Sequence, residues 1–274
     1  MAKPRPGISS DLTKPVLQFS HANGFPAGCY AAMLRGLAPR YRIGAIEAIG
    51  THPHYPVTEG WPLLVRQLID ELERNYGGEP VFGVGHSLGG YLTFLAAAQR
   101  PELFRAIVMI DAPVIGALKG RLLGATKRIG IVDRVTPAGA SRDRRAEWAS
   151  REEAKAHFRS RKLFAGFTDE CLDDYARHAL ERTEHHYRLK IDPAIEYQIY
   201  RSIPHDMHRQ LRLLRVPAGF IGGTGSDVVR RVGMAQMRGP GFLKRRVPGG
   251  HMFPFEHPAA AAAAIGELLA ELGG

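Results

Sequence analysis

The sequence predicts an α/β fold, with a mostly parallel central sheet flanked by helices. Three observations carry that expectation. Short apolar runs alternate with helical windows through the first 111 residues, as βα units feeding a parallel sheet do. Several of these runs end in glycine-rich turns, and two more apolar runs return after residue 215. At 274 residues, 45% hydrophobic and 23% charged, the chain has enough apolar material for a substantial core and is not a disordered segment.

Taken in order, Val16 to Ser20 reads as a buried strand running into the turn-rich loop His21-Ala22-Asn23-Gly24-Phe25-Pro26. A helical window follows from Gly28 to about Pro39, with Tyr30, Leu34 and Leu37 on one face. Arg42 to Ile46 is the next strand. From Trp61 to Tyr76, Leu63, Leu64, Leu68, Ile69 and Leu72 recur at helical spacing opposite Glu71, Glu73 and Arg74, which marks a surface helix. Pro80 to Gly85 is a strand, Leu88 to Arg100 an alanine-rich helix, and Ala106 to Ile110 another strand. Val216 to Ile221 and Phe242 to Val247 complete the strands. Pro258 to Leu272 is the last helix, with six consecutive alanines of high helix propensity.

Between Ala112 and Arg215 the pattern breaks into charged helical windows with no convincing buried strand. We expect a core made of residues 1–111 and 216–274, and a mostly helical insertion at 112–215. The insertion holds 21 Lys+Arg against 14 Asp+Glu, so +7 of the net +10 lies there. Arg142, Arg144, Arg145, Arg159, Arg161 and Lys162 raise nucleic acid, anionic lipid or an acidic substrate as a partner. Glu147, Glu152 and Glu153 are interleaved with them, which suits surface ion pairs better than a phosphate track and makes nucleic acid a disfavoured partner.

The chemistry is concentrated in Gly85-His86-Ser87-Leu88-Gly89, placed between a strand and a helix. Such a turn holds the serine in a sparsely populated backbone conformation, so the flanking positions must be small. A serine hydroxyl needs a base to take its proton, and His251, in Gly249-Gly250-His251 after the last strand, is placed to serve. His86 reads as structural and His257, before the last helix, as a helix-start residue. The carboxylate that would orient the imidazole has two candidates at strand ends, Asp111 and Asp227. Backbone N–H donors for an oxyanion would come from Leu88 and from Asn23, with Phe25 as the fallback.

These segments, in the order oxyanion loop, nucleophile, acid and histidine, resemble the α/β-hydrolase superfamily over the whole chain apart from a short N-terminal tail. The resemblance implies an α/β-hydrolase fold with a helical cap inserted between the family's strands six and seven. Two departures stand out. Ala22 replaces the glycine of the usual His-Gly loop, and the usual acid slot, three residues after Gly223, is occupied by Ser226. Some esterases of the superfamily carry the acid after strand six, where Asp111 stands, so Asp111 is preferred and Asp227 is the alternative. A serine at the elbow implies acyl transfer, whereas relatives that attack epoxides or haloalkanes use aspartate there.

The expected activity is therefore that of a serine hydrolase, carboxylesterase-like, acting on a small-molecule ester or acyl substrate with no cofactor and no metal. A thioesterase, a lactonase, a carbon-carbon bond hydrolase or a non-catalytic small-ligand binding protein would use the same scaffold. His52 and His54 lack partners at ligand spacing and are expected in a loop at a pocket mouth. His185 and His186 are read as diverging on a surface helix. Trp148, Phe158, Phe164, Phe167 and Tyr175 either line a pocket under the cap or form the cap's own core. Gly83-Val84-Gly85 is not a dinucleotide fingerprint, because Leu88 stands where the third glycine belongs. Cys29 and Cys171 permit one disulfide at most and are read as buried thiols. No apolar run approaches the roughly 20 residues of a spanning helix, and the polar stretch Met1 to Pro15 has no secretory h-region, which places the protein in the cytoplasm.

Overall fold

The computed structural model describes residues 13–142, 144–237 and 242–273, so the polar start up to residue 12 lies outside the described residues. In chain order the strands are β1 (Val16–Ser20), β2 (Arg42–Ala45), β3 (Val81–His86), β4 (Phe104–Ile110), β5 (Glu147–Trp148), β6 (Leu180–Arg182), β7 (Tyr187–Leu189), β8 (Ala218–Gly223) and β9 (Phe242–Val247). The helices are α1 (Ala31–Arg35), α2 (Pro62–Tyr76), α3 (Leu88–Gln99), α4 (Ala117–Arg128), α5 (Val132–Val135), α6 (Ala138–Arg142), α7 (Arg151–Arg159), α8 (Asp169–His178), α9 (Pro193–Arg201), α10 (Met207–Gln210), α11 (Asp227–Val232), α12 (Phe253–Glu256) and α13 (Pro258–Gly273).

Six strands form one sheet in the order β2-β1-β3-β4-β8-β9, and every neighbouring pair is parallel. Side chains alternate across a strand, and β4 shows the result. Ala106, Val108 and Ile110 enter one apolar cluster, while Ile107 and Met109 enter the other. The first cluster includes side chains of α13 and of the segment around α1; the second takes the inner faces of α2 and α3. Both faces of the sheet are thus covered, as an all-parallel sheet requires.

Helix α2 starts with Pro62 and ends at Gly77, whose φ of +57° is a left-handed conformation natural to glycine. Its face Leu64, Val65, Leu68, Ile69 and Leu72 is buried. The window from Gly28 to Pro39 is less regular than its spacing predicts. A 3₁₀ turn over Ala27–Tyr30 leads into α1, which stops before Gly36.

The chain leaves the sheet after Ile110 and rejoins it at Ala218, so four of the six strands precede this excursion and two follow. The excursion is mostly helical, but it also contains a second sheet, β5-β7-β6, with antiparallel pairing. The sequence hides these strands because each is only two or three residues long, too short to show a period. His185 and His186 lie in the turn between β6 and β7 and not on a helix, which corrects the sequence reading; His185 is exposed. The basic residues are largely paired as the interleaved charges suggest, Arg144 with Glu196, Arg145 with Glu153 and Arg159 with Asp169.

Trp148, Phe158, Phe164, Phe167 and Tyr175 are all buried and lie in one cluster with Phe25, Tyr30 and Phe255 of the core. Phe164 sits 4.8 Å from Tyr175, and the rings of Phe167 and Phe255 stack at 4.6 Å. Of the two readings of these aromatics, the packed core is the one the geometry favours. Cys29 and Cys171 are buried free thiols. His52 and His54 are exposed, and among the described residues no group of three or more metal-ligating side chains occurs.

Candidate active site

Strand β3 ends at His86 and α3 begins at Leu88, leaving Ser87 alone at the bend with a φ of +51°. A non-glycine residue there is strained and must be held by its surroundings. Its N–H donates to the Ile110 carbonyl at 2.9 Å, and its carbonyl accepts from Tyr91 N–H at 3.1 Å. The flanking glycines are required by contact. A Cβ on Gly85 would lie 2.2 Å from the Gly89 oxygen, and one on Gly89 would lie 1.9 Å from the Ser20 oxygen.

His251 follows Gly249, whose φ of +110° aims the loop back over the sheet. The loop is pinned by Gly250 N–H donating to Glu256 Oε2 at 2.8 Å. Ser87 Oγ lies 3.1 Å from His251 Nε2, and His251 Nδ1 lies 2.7 Å from Asp111 Oδ2. A carboxylate only accepts, so Nδ1 carries the proton and Nε2 faces the serine hydroxyl as an acceptor.

Asp111 is fully buried at the end of β4, with a φ of +45°. Its own N–H donates to the Ile221 carbonyl at 2.8 Å. Besides His251 it accepts from Gly223 N–H at 2.8 Å and from Ser226 Oγ–H at 2.5 Å. Asp227 is elsewhere, opening α11 with an exposed carboxylate paired to Arg230 at 2.6 Å. The structure therefore brings Asp111 to the imidazole and leaves Asp227 out.

The loop after β1 packs onto the first turn of α3, with the Ser20 and His21 carbonyls against Gly89. Leu88 N–H belongs to that turn, where amides have no intrahelical acceptor. Asn23 is buried, and its Nδ2–H donates to the Glu196 carbonyl at 3.0 Å. Phe25 N–H closes a tight turn on the Ala22 carbonyl at 3.1 Å, with Gly24 at a φ of +77°. The fallback donor is thereby committed within its own loop. His21 locks the loop's base: its Nε2 accepts from Ile49 N–H and its Nδ1–H donates to the Ala22 carbonyl, both at 2.7 Å. Burial pushes its pKa down to about 4, so it stays neutral.

A model of the alpha/beta hydrolase family matches residues 19–264, nearly the whole described chain. The chain belongs to that family. Among relatives, the monoglyceride lipase of Homo sapiens is 31% identical over 114 residues, covering 37% of this chain and 36% of that enzyme. The chain therefore matches little more than a third of that relative's length. The abhydrolase domain-containing protein AFT2-1 of Alternaria alternata is 24% identical over 231 residues, covering 70% of this chain and 83% of that one. The crystal structure of E-2-(acetamidomethylene)succinate hydrolase superposes with a TM-score of 0.75 at 20% identity, covering 94% of this chain and 92% of that one, and so shares the fold.

Three features of this chain lie beyond the sequence reading. Ser226 caps α11 by accepting from Val229 N–H at 3.2 Å while its hydroxyl donates to Asp111; its position in the usual acid slot was the available signal. His86 Nε2–H donates to the His251 carbonyl at 2.9 Å, and its Nδ1 accepts from Tyr30 O–H at 2.7 Å. Tyr30 Oη accepts in turn from Ala22 N–H at 3.2 Å. His86 is thus structural, as its sequence neighbourhood suggests, but it is also a strut between the loop after β1 and the His251 loop. Burial, reinforced by His251, holds its pKa well below the ordinary histidine value.

The third feature is Glu196 of α9, buried against Gly24 and paired with Arg144 at 3.1 Å. Burial raises its pKa to about 7 against the opposing pull of Arg144. Nothing in the spacing of α9 distinguishes it from a surface glutamate.

Proposed function

We propose that the protein is a cytoplasmic serine hydrolase, carboxylesterase-like, that cleaves an ester or related acyl bond of a small molecule through an acyl-enzyme at Ser87. The observation that carries this reading is the hydrogen-bonded series from Ser87 Oγ through the His251 ring to Asp111. Ser87 Oγ attacks the substrate carbonyl carbon as its proton passes to His251 Nε2. Asp111 stabilises the imidazolium so formed and keeps Nδ1 as the donor. The oxyanion is received by the N–H groups of Leu88 and Asn23. His251 returns the proton to the leaving alcohol. Water, deprotonated by the same nitrogen, then releases the acid and restores Ser87.

The segment 112–215 serves as a cap over the core of residues 1–111 and 216–274. The lipase name of the human relative supports a carboxylic ester as substrate, and two unpaired buried thiols suit a reducing compartment.

Replacing Ser87 by Ala is expected to lower turnover of a p-nitrophenyl ester by roughly 10⁴-fold or more and to abolish labelling by a fluorophosphonate. Unchanged turnover with full labelling would overturn the proposed role of Ser87. Tight ligand binding by the wild type without labelling would show a binding protein instead.

A further inference from the structure

Helix α4 is built inside out. Its exposed side carries Leu118, Leu122, Ala125 and, at the C-cap, Ile129, spaced so that all four fall on one stripe. Leu118 and Ile129 are 72% and 68% exposed. Its inner side carries Gly120 and Gly124, with Leu123 the one leucine of the helix packed inward. A Cβ on Gly120 would lie 2.0 Å from the His205 carbonyl oxygen, and one on Gly124 would lie 3.1 Å from the His205 ring. A helix placed only for packing would turn its leucines inward. Of the six large apolar side chains exposed among the described residues, these three and Val135 of neighbouring α5 are four.

The charges around the stripe have one sign. Between Ala112 and Val132 there are four cations, Lys119, Arg121, Lys127 and Arg128, and no Asp or Glu. Lys119 is tied to the carbonyls of Arg231 and Val232, and Lys127 to the Ile203 carbonyl and to Glu59. Arg121 and Arg128 are exposed beside the stripe, and no carboxylate pairs with either among the described residues. Apolar side chains flanked by arginine, on a helix too short to cross a bilayer, are the features of a helix lying in a lipid–water interface.

We propose that the face made by Leu118, Leu122 and Ile129 docks on a membrane surface rich in anionic phospholipid, with Arg121 and Arg128 at the headgroups. A second copy of the chain fits this face poorly. A two-fold contact lays the same patch on itself and would bring the arginines against each other with no carboxylate between residues 112 and 132 to offset them.

The test is vesicle flotation at low ionic strength, with phosphatidylcholine alone and with phosphatidylcholine containing phosphatidylglycerol. The wild type is expected to float with the anionic vesicles, less so as salt rises. Leu118→Gln, Leu122→Gln and Ile129→Gln together are expected to weaken flotation about ten-fold or more. Arg121→Glu with Arg128→Glu is expected to weaken it about twenty-five-fold or more, at about five-fold per cation. These exposed substitutions leave the melting temperature unchanged. Ser87→Ala is expected to float like the wild type, so the result does not depend on the proposed chemistry. Absence of wild-type flotation with anionic vesicles overturns the proposal, as does equal flotation of the apolar variant. Self-association that the apolar variant abolishes, without flotation, assigns the face to a second copy.

Discussion

At the scale of single residues, the decisive fact is which carboxylate meets the imidazole. Asp111 accepts from His251 and, at the same time, from Gly223 N–H and the Ser226 hydroxyl. Asp111→Asn keeps the shape but presents an amide that favours the wrong imidazole tautomer. Ester turnover is expected to fall by about 10⁴-fold. Asp227→Asn, which disturbs only an exposed pair with Arg230, is expected to leave turnover within about two-fold. Steady-state kinetics on the two variants checks both, and loss confined to the second would reverse the assignment.

Much of the site was legible because its signals are local. Gly85, Ser87 and Gly89 occupy a strand-to-helix bend that only small neighbours allow, and Gly249-Gly250 announces a loop before His251. The acid was less legible, because Asp111 and Asp227 both follow strands and only the meeting of β4 with β8 separates them. Glu196 was not legible at all, since the burial of a charged side chain is a property of the folded molecule.

At the scale of elements, the parallel strands and their helices were readable from apolar runs and helical spacing, with ends displaced by a residue or two except at α1, which is shorter than the window from Gly28 to Pro39. The elements that escaped notice include β5, β6 and β7 and the short helices α11 and α12, which are too short to be periodic. The contact between α3 and the loop after β1 offers a test of how closely the elements fit. Gly89→Ala places a methyl group against the Ser20 carbonyl, which is backbone and has no rotamer with which to yield. Overpacking of this kind costs about 1–3 kcal/mol, so the denaturant midpoint is expected to fall with the slope unchanged. An unchanged midpoint would mean that the contact relaxes freely.

At the scale of the whole molecule, Glu196 joins the excursion after β4 to the loop after β1. Its carboxyl lies against Gly24 and pairs with Arg144, while Tyr175 donates to the Gly24 carbonyl at 3.4 Å. The groups acting on it are Arg144, which favours its charge, and Asp192, which opposes it. With a folded pKa raised to about 7 from the ordinary 4.5, the native state holds a proton that the unfolded chain releases between those values. Stability from this group is therefore complete below the unfolded value and is lost as pH rises through about 7. Thermal melting from acid to neutral pH is expected to fall more steeply for the wild type than for Glu196→Gln, and identical slopes would contradict the linkage.

Asp111 is also the last residue before the chain departs on its hundred-residue excursion, yet every clamp on its carboxylate and its amide comes from the opposite direction, from β8, the turn beyond it and the His251 loop. Tension arriving along the backbone at residue 112 meets an anchored post. The imidazole thereby takes its bearing from the end of the sheet itself, whatever strain the outer segment transmits.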